Sequence, residues 1–381
     1  MKDIYFFNVG HGESILIRYP KVQIIRDFGR SKYAKETPFS CSIEKLAYRF
    51  KKYCTPIPET IAILSHLHED HCNGFFELYN QKDEGIKFFK KTFIPWLKFD
   101  DIKAIGSFIL RINLFLARLY FKTPHQNSNR PQKILKIIPV LFDLSEELYC
   151  VGKGHSFNEI PDVNNVYWPP VDKHQTIEQS DWDDFNHIIE RCFNKEHIEG
   201  FAADAQSLAG LIENLLNGEN SHSNINSIID YIGDIIRKPL DNRPFQNDIE
   251  KVKLMSSKYI DNNSIIFDIL PKDNCGTLFL SDADENSVYQ ALKNYTSRQY
   301  QFIKAGHHGT RGAESLQKLN YKADEVICCC GPALNSWYGP SRDYLNIGKV
   351  YCTDWNDKSH KWINKDLYSF KEKCFIYRKL K

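Results

Sequence analysis

Ile61-Ala62-Ile63-Leu64-Ser65-His66-Leu67-His68-Glu69-Asp70-His71 is the stretch that decides how this chain folds. Its first four residues form a short apolar run, the mark of a buried strand. The strand feeds directly into His66, His68, Asp70 and His71. Imidazole nitrogens beside a carboxylate are what a borderline cation such as zinc accepts. On an extended segment side chains alternate, so His66 and His68 point the same way. Asp70 and His71 are expected past a turn, facing a second ion; two-metal hydrolases hold their ions about 3.5–4 Å apart. With 13 histidines among 381 residues, three within six positions are more than a chance polar loop.

Outward from this cluster the chain alternates strand and helix patterns. Residues 4–9, 14–19 and 22–28 read as strands, and 42–53 as a helix with a basic face. A helix is expected from about Gly74, a strand at 93–96 and a long helix at 100–122, with a proline-marked loop over 123–132. Further strands are expected near 134–142, 147–151 and 165–168. The character changes over 171–258, which is acid-rich at first and then helical around a polar break at 218–223. Trp182, Phe185 and Phe193 read there as a packed helix face. The earlier rhythm resumes with strands at 264–270, 277–280, 301–304, 325–330 and 350–353, and helices from Glu285 and near 312–319. The prediction is an α/β (α+β) fold in two halves, 1–170 and 259–381, interrupted by a helical insertion at 171–258.

A net charge of +2, with 42% hydrophobic and 26% charged residues, describes an ordinary globular chain. It makes no global case for nucleic acid or membrane, though Lys87–Lys91, Lys51-Lys52 and Arg130–Lys136 are local basic pieces that phosphates could meet. No apolar run approaches the roughly 20 residues of a spanning helix. The start carries no export signal, which predicts a cytoplasmic protein. The 11 cysteines include the consecutive Cys328, Cys329 and Cys330, which points to free buried thiols rather than a disulfide framework.

Ser65-His66-Leu67-His68-Glu69-Asp70-His71 resembles the HxHxDH motif of metallo-β-lactamase-fold hydrolases. Other segments follow the order of the ComEC-like branch of that family. Asn8-Val9-Gly10-His11-Gly12-Glu13-Ser14-Ile15-Leu16-Ile17 resembles its opening DVGQGDSILI, and Ile24 to Gly29 its second strand. Asn263-Ser264-Ile265-Ile266-Phe267 resembles the N-S-L-V strand, and Leu278 to Asp282 the strand ending in Gly-Asp. Lys304-Ala305-Gly306-His307-His308-Gly309-Thr310 resembles K-x-x-H-H-G-S/T; Asn335 to Ser341 and Tyr351 to Asp354 echo the closing segments. Together they run from residue 5 to about 354, with 171–258 as an extra block and no membrane channel.

The resemblance implies a four-layer αββα sandwich with two divalent ions, zinc foremost and manganese or iron as alternatives. His66 and His68 would hold the first ion, Asp70 and His71 the second, and Asp282 would bridge them. One of His307 and His308 would complete the second site, His308 being preferred, with the other in the substrate pocket. Asp27 would fix a ligand histidine by accepting its hydrogen bond. Asp70, His307 and Lys304 are the candidate catalytic groups, Lys304 as a helper for developing negative charge. Relatives often supply a third histidine to the first ion; His155 is the preferred candidate among His125, His155, His174, His187, His197 and His222. His11 has a surface turn as its default reading and a pocket role as the alternative.

The activity implied is phosphodiester hydrolysis by a metal-activated water, on nucleic acid or a nucleotide signal. A small-ester or lactone hydrolase is the alternative, and a non-catalytic binding or regulatory protein, in phage defence for instance, is a third. The block 171–258 would serve as a lid, a homodimer face or a docking arm for a protein partner.

Overall fold

In chain order the strands and helices of the first half are β1 (Lys2–Phe7), β2 (Ser14–Arg18), β3 (Val22–Phe28), α1 (Ile43–Cys54), β4 (Glu59–Ile63), α2 (Glu69–Gln81) and β5 (Phe89–Pro95). Then follow α3 (Ile105–Phe121), α4 (Asn129–Leu144), β6 (Ser145–Val151), β7 (Val163–Trp168), α5 (Gln179–Cys192), α6 (Lys195–Leu216), α7 (Ile225–Arg237) and α8 (Gln246–Asn262). The chain ends with β8 (Ile266–Ile269), β9 (Thr277–Phe279), α9 (Glu285–Leu292), β10 (Gln299–Lys304), α10 (Ala313–Lys318), β11 (Lys322–Cys328), β12 (Lys349–Cys352) and β13 (Phe375–Leu380). This computed structural model describes residues 2–32, 34, 41–54, 59–83, 85–121, 129–157, 160, 162–171, 177–218, 225–270, 276–296, 298–331, 339–353 and 375–380.

The described chain divides into two units: residues 1–95, 144–170 and 261–381 form one, and residues 96–143 and 171–260 the other. The first unit holds a seven-stranded sheet, ordered β13-β1-β2-β3-β4-β5-β6, and a six-stranded sheet, ordered β12-β11-β10-β9-β8-β7. Strands β3 to β6 run parallel, as do β9 to β12. One apolar cluster draws on both sheets: Ile15, Ile24, Ile61 and Phe93 from the first, Val166, Phe267, Phe279 and Ile327 from the second. A second cluster joins the six-stranded sheet to α9 and α10 through Ile303, Val326, Val288 and Leu316. Across the seven-stranded sheet, Phe28 of β3 packs on Phe50 of α1 and Phe75 of α2.

The second unit is helical. Phe108 and Phe115 of α3 pack edge-on against Phe185 of α5, and Phe193 stacks on Phe201 of α6. Phe185 and Phe193 are buried core residues, and the half-buried Trp182 sits against Phe108. The helical unit is larger than the expected insertion at 171–258. It also takes in α3 and α4, because α3 is apolar on nearly every side and packs on α6 and α7.

Two local expectations are corrected. Residues 134–142 are not a strand; they lie inside α4. A short run of Ile, Leu and Val is ambiguous between buried strand and buried helix. The deciding signal is the partly exposed Gln132, Lys133, Lys136 and Asp143, which recur at helical spacing. Helix α2 begins at Glu69 rather than near Gly74, so Asp70 and His71 stand on its first turn, after the extended N-cap His68. A helix N-terminus favours such acidic residues. Strand β13, antiparallel to β1, has no counterpart in the sequence reading.

Candidate metal centre

The candidate site collects at the carboxyl ends of parallel strands, where open α/β sheets present their ligands. Asp27 closes β3, His66 and His68 follow β4, Asp282 follows β9, and His307 and His308 follow β10. The loops are tied together by their backbones. Ile265 N–H donates to Ser65 O at 2.9 Å, Glu13 N–H to Asp70 O at 2.9 Å, and His307 N–H to Ser281 O at 2.9 Å. Asp27, Ser281, His307 and His308 all have positive φ, between 43° and 57°. Non-glycine residues held there cost about 1–3 kcal/mol each, and such strain gathers at functional sites.

One carboxylate oxygen organises the site. Asp282 Oδ2 lies 3.3 Å from His71 Nε2, 3.7 Å from His66 Nε2, and 3.8 Å from both His307 Nε2 and His308 Nε2. His308 Nε2 is also 3.1 Å from Asp70 Oδ2. On the other side His68 Nδ1 is 2.9 Å and His66 Nε2 is 4.0 Å from Asp261 Oδ1. The groups His66–His68–Asp261, His66–His71–Asp282 and His11–Asp70–His308 each bring three ligand atoms within 4.8 Å of one another. Two ligands about 2 Å from one ion at the tetrahedral angle lie about 3.3 Å apart, so these spacings suit a metal. His66 Nε2, His71 Nε2, Asp282 Oδ1 and Asp261 Oδ1 are buried without a hydrogen-bond partner among the described residues. Buried polar atoms of that kind call for an ion or a water.

The electrostatics depend on these neighbours. Burial alone would raise the Asp70 carboxyl, but the His308 hydrogen bond and nearby His71 hold it well below the usual range. Asp282 is likewise held down against burial, by His71, His308, His307 and His66. Asp261 is pushed up to about 6 by burial and by the charge of Asp282, against the pull of His307 and Arg311. His11 is lowered to about 4 by burial and by His308.

A shell of hydrogen bonds behind these side chains holds them. Asp27 accepts hydrogen bonds from Ser65 N–H and Ser65 Oγ, each at 2.6 Å, and its Oδ2 lies 3.0 Å from His71 Nδ1. That contact leaves His71 Nε2 facing Asp282. His308 Nδ1 lies 2.9 Å from the Cys329 carbonyl, which leaves its Nε2 for Asp70. Arg311 Nη1 donates to Asp261 Oδ2 at 2.9 Å.

His66, His68, Asp70, His71, Asp282 and His308 therefore converge, with His307 beside them as the more exposed histidine, its side chain 34% accessible. Lys304 corrects the sequence expectation. It is fully buried and ion-paired to Glu13, whose other oxygen holds Arg26, rather than standing open to solvent beside the histidines. His155 Nδ1 turns back on Gly152, and none of the possible metal-holding groups among the described residues includes it. His187 and His197 belong to the helical unit, bonded to Asp183 O and Asp241 Oδ1. His125, His174 and His222, and with them Asp354 and most of residues 335–341, lie outside the described residues. Lys90 and Lys91 are ion-paired to Glu146 and Glu147. Sequence reasoning missed Asp261, which precedes the Asn263-Ser264 motif by two residues, and Arg311, just after the histidine pair. It also left His11 on the surface by default; its ring stands 4.4 Å from that of His308.

Neither a protein-family model nor a curated protein sequence matches the chain.

Proposed function

We propose that this protein is a metal-dependent hydrolase of the metallo-β-lactamase fold, ComEC-like in its motifs, acting on phosphodiesters of nucleic acid or nucleotides. The observation that carries the reading is the single oxygen of Asp282 facing four imidazole nitrogens within 3.8 Å. The four-layer αββα sandwich is supported by the core shared between two sheets, with α1 and α2 on one and α9 and α10 on the other. His66, His68 and Asp261 would hold one divalent ion, and Asp70, His71 and His308 the other, with Asp282 shared. Zinc suits this mixture of imidazole and carboxylate, with manganese or iron as alternatives. Ions in such a pair acidify water near neutral pH and neutralise charge at phosphorus.

The chain's own groups do the rest. His307 Nδ1 lies 2.9 Å from Thr310 Oγ1, which turns Nε2 toward Asp282 and the reacting region. From there it can donate a proton to a departing oxygen. Arg311, 36% accessible at its side chain, is the cation beside His307 and takes the charge-stabilising role first given to Lys304. No described helix is long and apolar enough to cross a membrane. Cys41, Cys72, Cys150, Cys192, Cys328, Cys329, Cys330 and Cys352 are free thiols, which supports a reducing compartment such as the cytoplasm.

Hydrolysis of bis-p-nitrophenyl phosphate with added zinc or manganese tests the reading, with wild type beside a His68→Ala, Asp70→Ala double variant. Turnover by the wild type alone is expected. A wild type that carries bound metal and turns over nothing would move the activity to lactones or thioesters. A wild type that binds no metal would leave a binding protein.

A further inference from the structure

Helix α6 of the helical unit presents an unusual face. Ala202, Ala205, Ala209 and Gly210 recur at helical spacing, where a packed face would carry larger side chains. They line a cavity of about 370 Å³ whose other wall includes Arg111 of α3. A side chain is not missing for lack of room: a β-carbon built on Gly210 meets no atom within 4 Å.

Small residues alone do not make a site; Arg111 does. It is 7% exposed, and its Nε and Nη1 have no hydrogen-bond partner. Among the described residues no carboxylate pairs with it. The Trp182 ring lies 4.9 Å from its guanidinium carbon. Burial, with no opposing charge, holds its pKa down to about 10. A buried cation without a counter-charge is costly. Two helical turns further along α3, Arg118 shows how the same fold satisfies such a group: Nη2 donates to Asp204 Oδ2 at 2.5 Å and Nε to Ile235 O at 2.9 Å. Arg111 has neither kind of partner, yet it faces an open cavity of a size that ordinary small-molecule sites have.

We propose that this cavity binds a small organic anion, its carboxylate or phosphate received by Arg111. Guanidinium groups favour those two anions because their planar N–H fork matches the paired oxygens. Asp100, Asp101 and Glu213 also line the wall. They disfavour a bare dianion and favour an organic body that brings amino groups. Amino acids and aminated nucleoside monophosphates share that chemistry. The site lies wholly within the helical unit and does not depend on the hydrolase reading.

The test is thermal denaturation of the full chain with millimolar amounts of each common amino acid, each ribonucleoside monophosphate and inorganic phosphate. Wild type is compared with Arg111→Met and Gly210→Leu. At least one amino acid or nucleotide is expected to raise the midpoint by about 3 °C or more. An amino acid identifies a carboxylate ligand and a nucleotide a phosphate ligand. Both variants should abolish the shift. Without ligand, Arg111→Met should melt no lower than wild type, since it removes an uncompensated charge. No shift with any organic probe, a response to inorganic phosphate alone, or a shift that persists in either variant overturns the proposal. So does an Arg111→Met protein that melts well below wild type, which would make the arginine structural. Gly210→Leu changes no charge and tests the cavity independently of Arg111.

Discussion

Asp261 Oδ1 stands 2.9 Å from His68 Nδ1, although one residue ends helix α8 and the other caps helix α2. Asp261 thus joins His66 and His68 in one cluster of possible ligand atoms, and Arg311 holds its second oxygen. Asp261→Ala should lose at least about tenfold in affinity for one of two zinc ions, since even outer partners of metal ligands are worth about 10–100-fold. Asp261→His should retain both. Competition with a chromophoric chelator measures this; two unchanged affinities in Asp261→Ala would exclude the residue as a ligand.

Asp27 is fully buried and serves Ser65 N–H, Ser65 Oγ and His71 Nδ1 at once. Asp27→Asn exchanges one carboxylate oxygen for an amide donor and leaves at least one of these contacts unmade. The expected cost is about 1–3 kcal/mol in urea unfolding. Metal affinity should fall about 10–100-fold. A stability loss with intact metal binding would confine Asp27 to the fold.

Gly29 backs onto the ligand-bearing helix: an added β-carbon would lie 2.2 Å from the Asp70 carbonyl carbon and 2.3 Å from His71 N. Backbone cannot yield as a flexible side chain does, so Gly29→Ala should destabilise by about 1–3 kcal/mol. It should also weaken metal binding by displacing Asp70 and His71. Gly200→Ala in α6, where the new carbon meets nothing within 4 Å, is the control. It should be neutral or stabilising by up to about 1 kcal/mol. Equal behaviour of the two variants would contradict this packing.

Glu13 is shared between Arg26 and Lys304, and all three are fully buried. Removing one member of such a network leaves an uncompensated charge, at about 3–5 kcal/mol. Lys304→Met should therefore lower the unfolding free energy by about that much. The protein that remains folded should keep the KM of the wild type for a phosphodiester. A raised KM with unchanged stability would return Lys304 to the substrate.

Much of this was legible locally. The run at 61–64 announced a buried strand because four apolar residues need an apolar setting, and the dense histidines that follow it marked out a cluster of side chains that the fold brings together. Strand and helix order in the first unit could also be followed, since alternation and turn residues act over a few neighbours. Local signals failed where burial removed the contrast: residues 134–142 are apolar on most sides, so strand and helix look alike until Lys133, Lys136 and Asp143 are placed on one stripe.

By itself, then, the sequence determined most elements of the two-sheet unit, though not β13, and the histidine–aspartate core of the candidate site, because both arise from chemistry a few residues long. Only the tertiary structure decided which distant charges meet. It sent Lys304 inward to Glu13, brought Asp261 to His68, and left Arg111 unpaired among the described residues at a cavity while pairing Arg118. Those outcomes depend on packing between elements far apart in the chain, where a charge's role is set by its neighbours in space rather than by its own type.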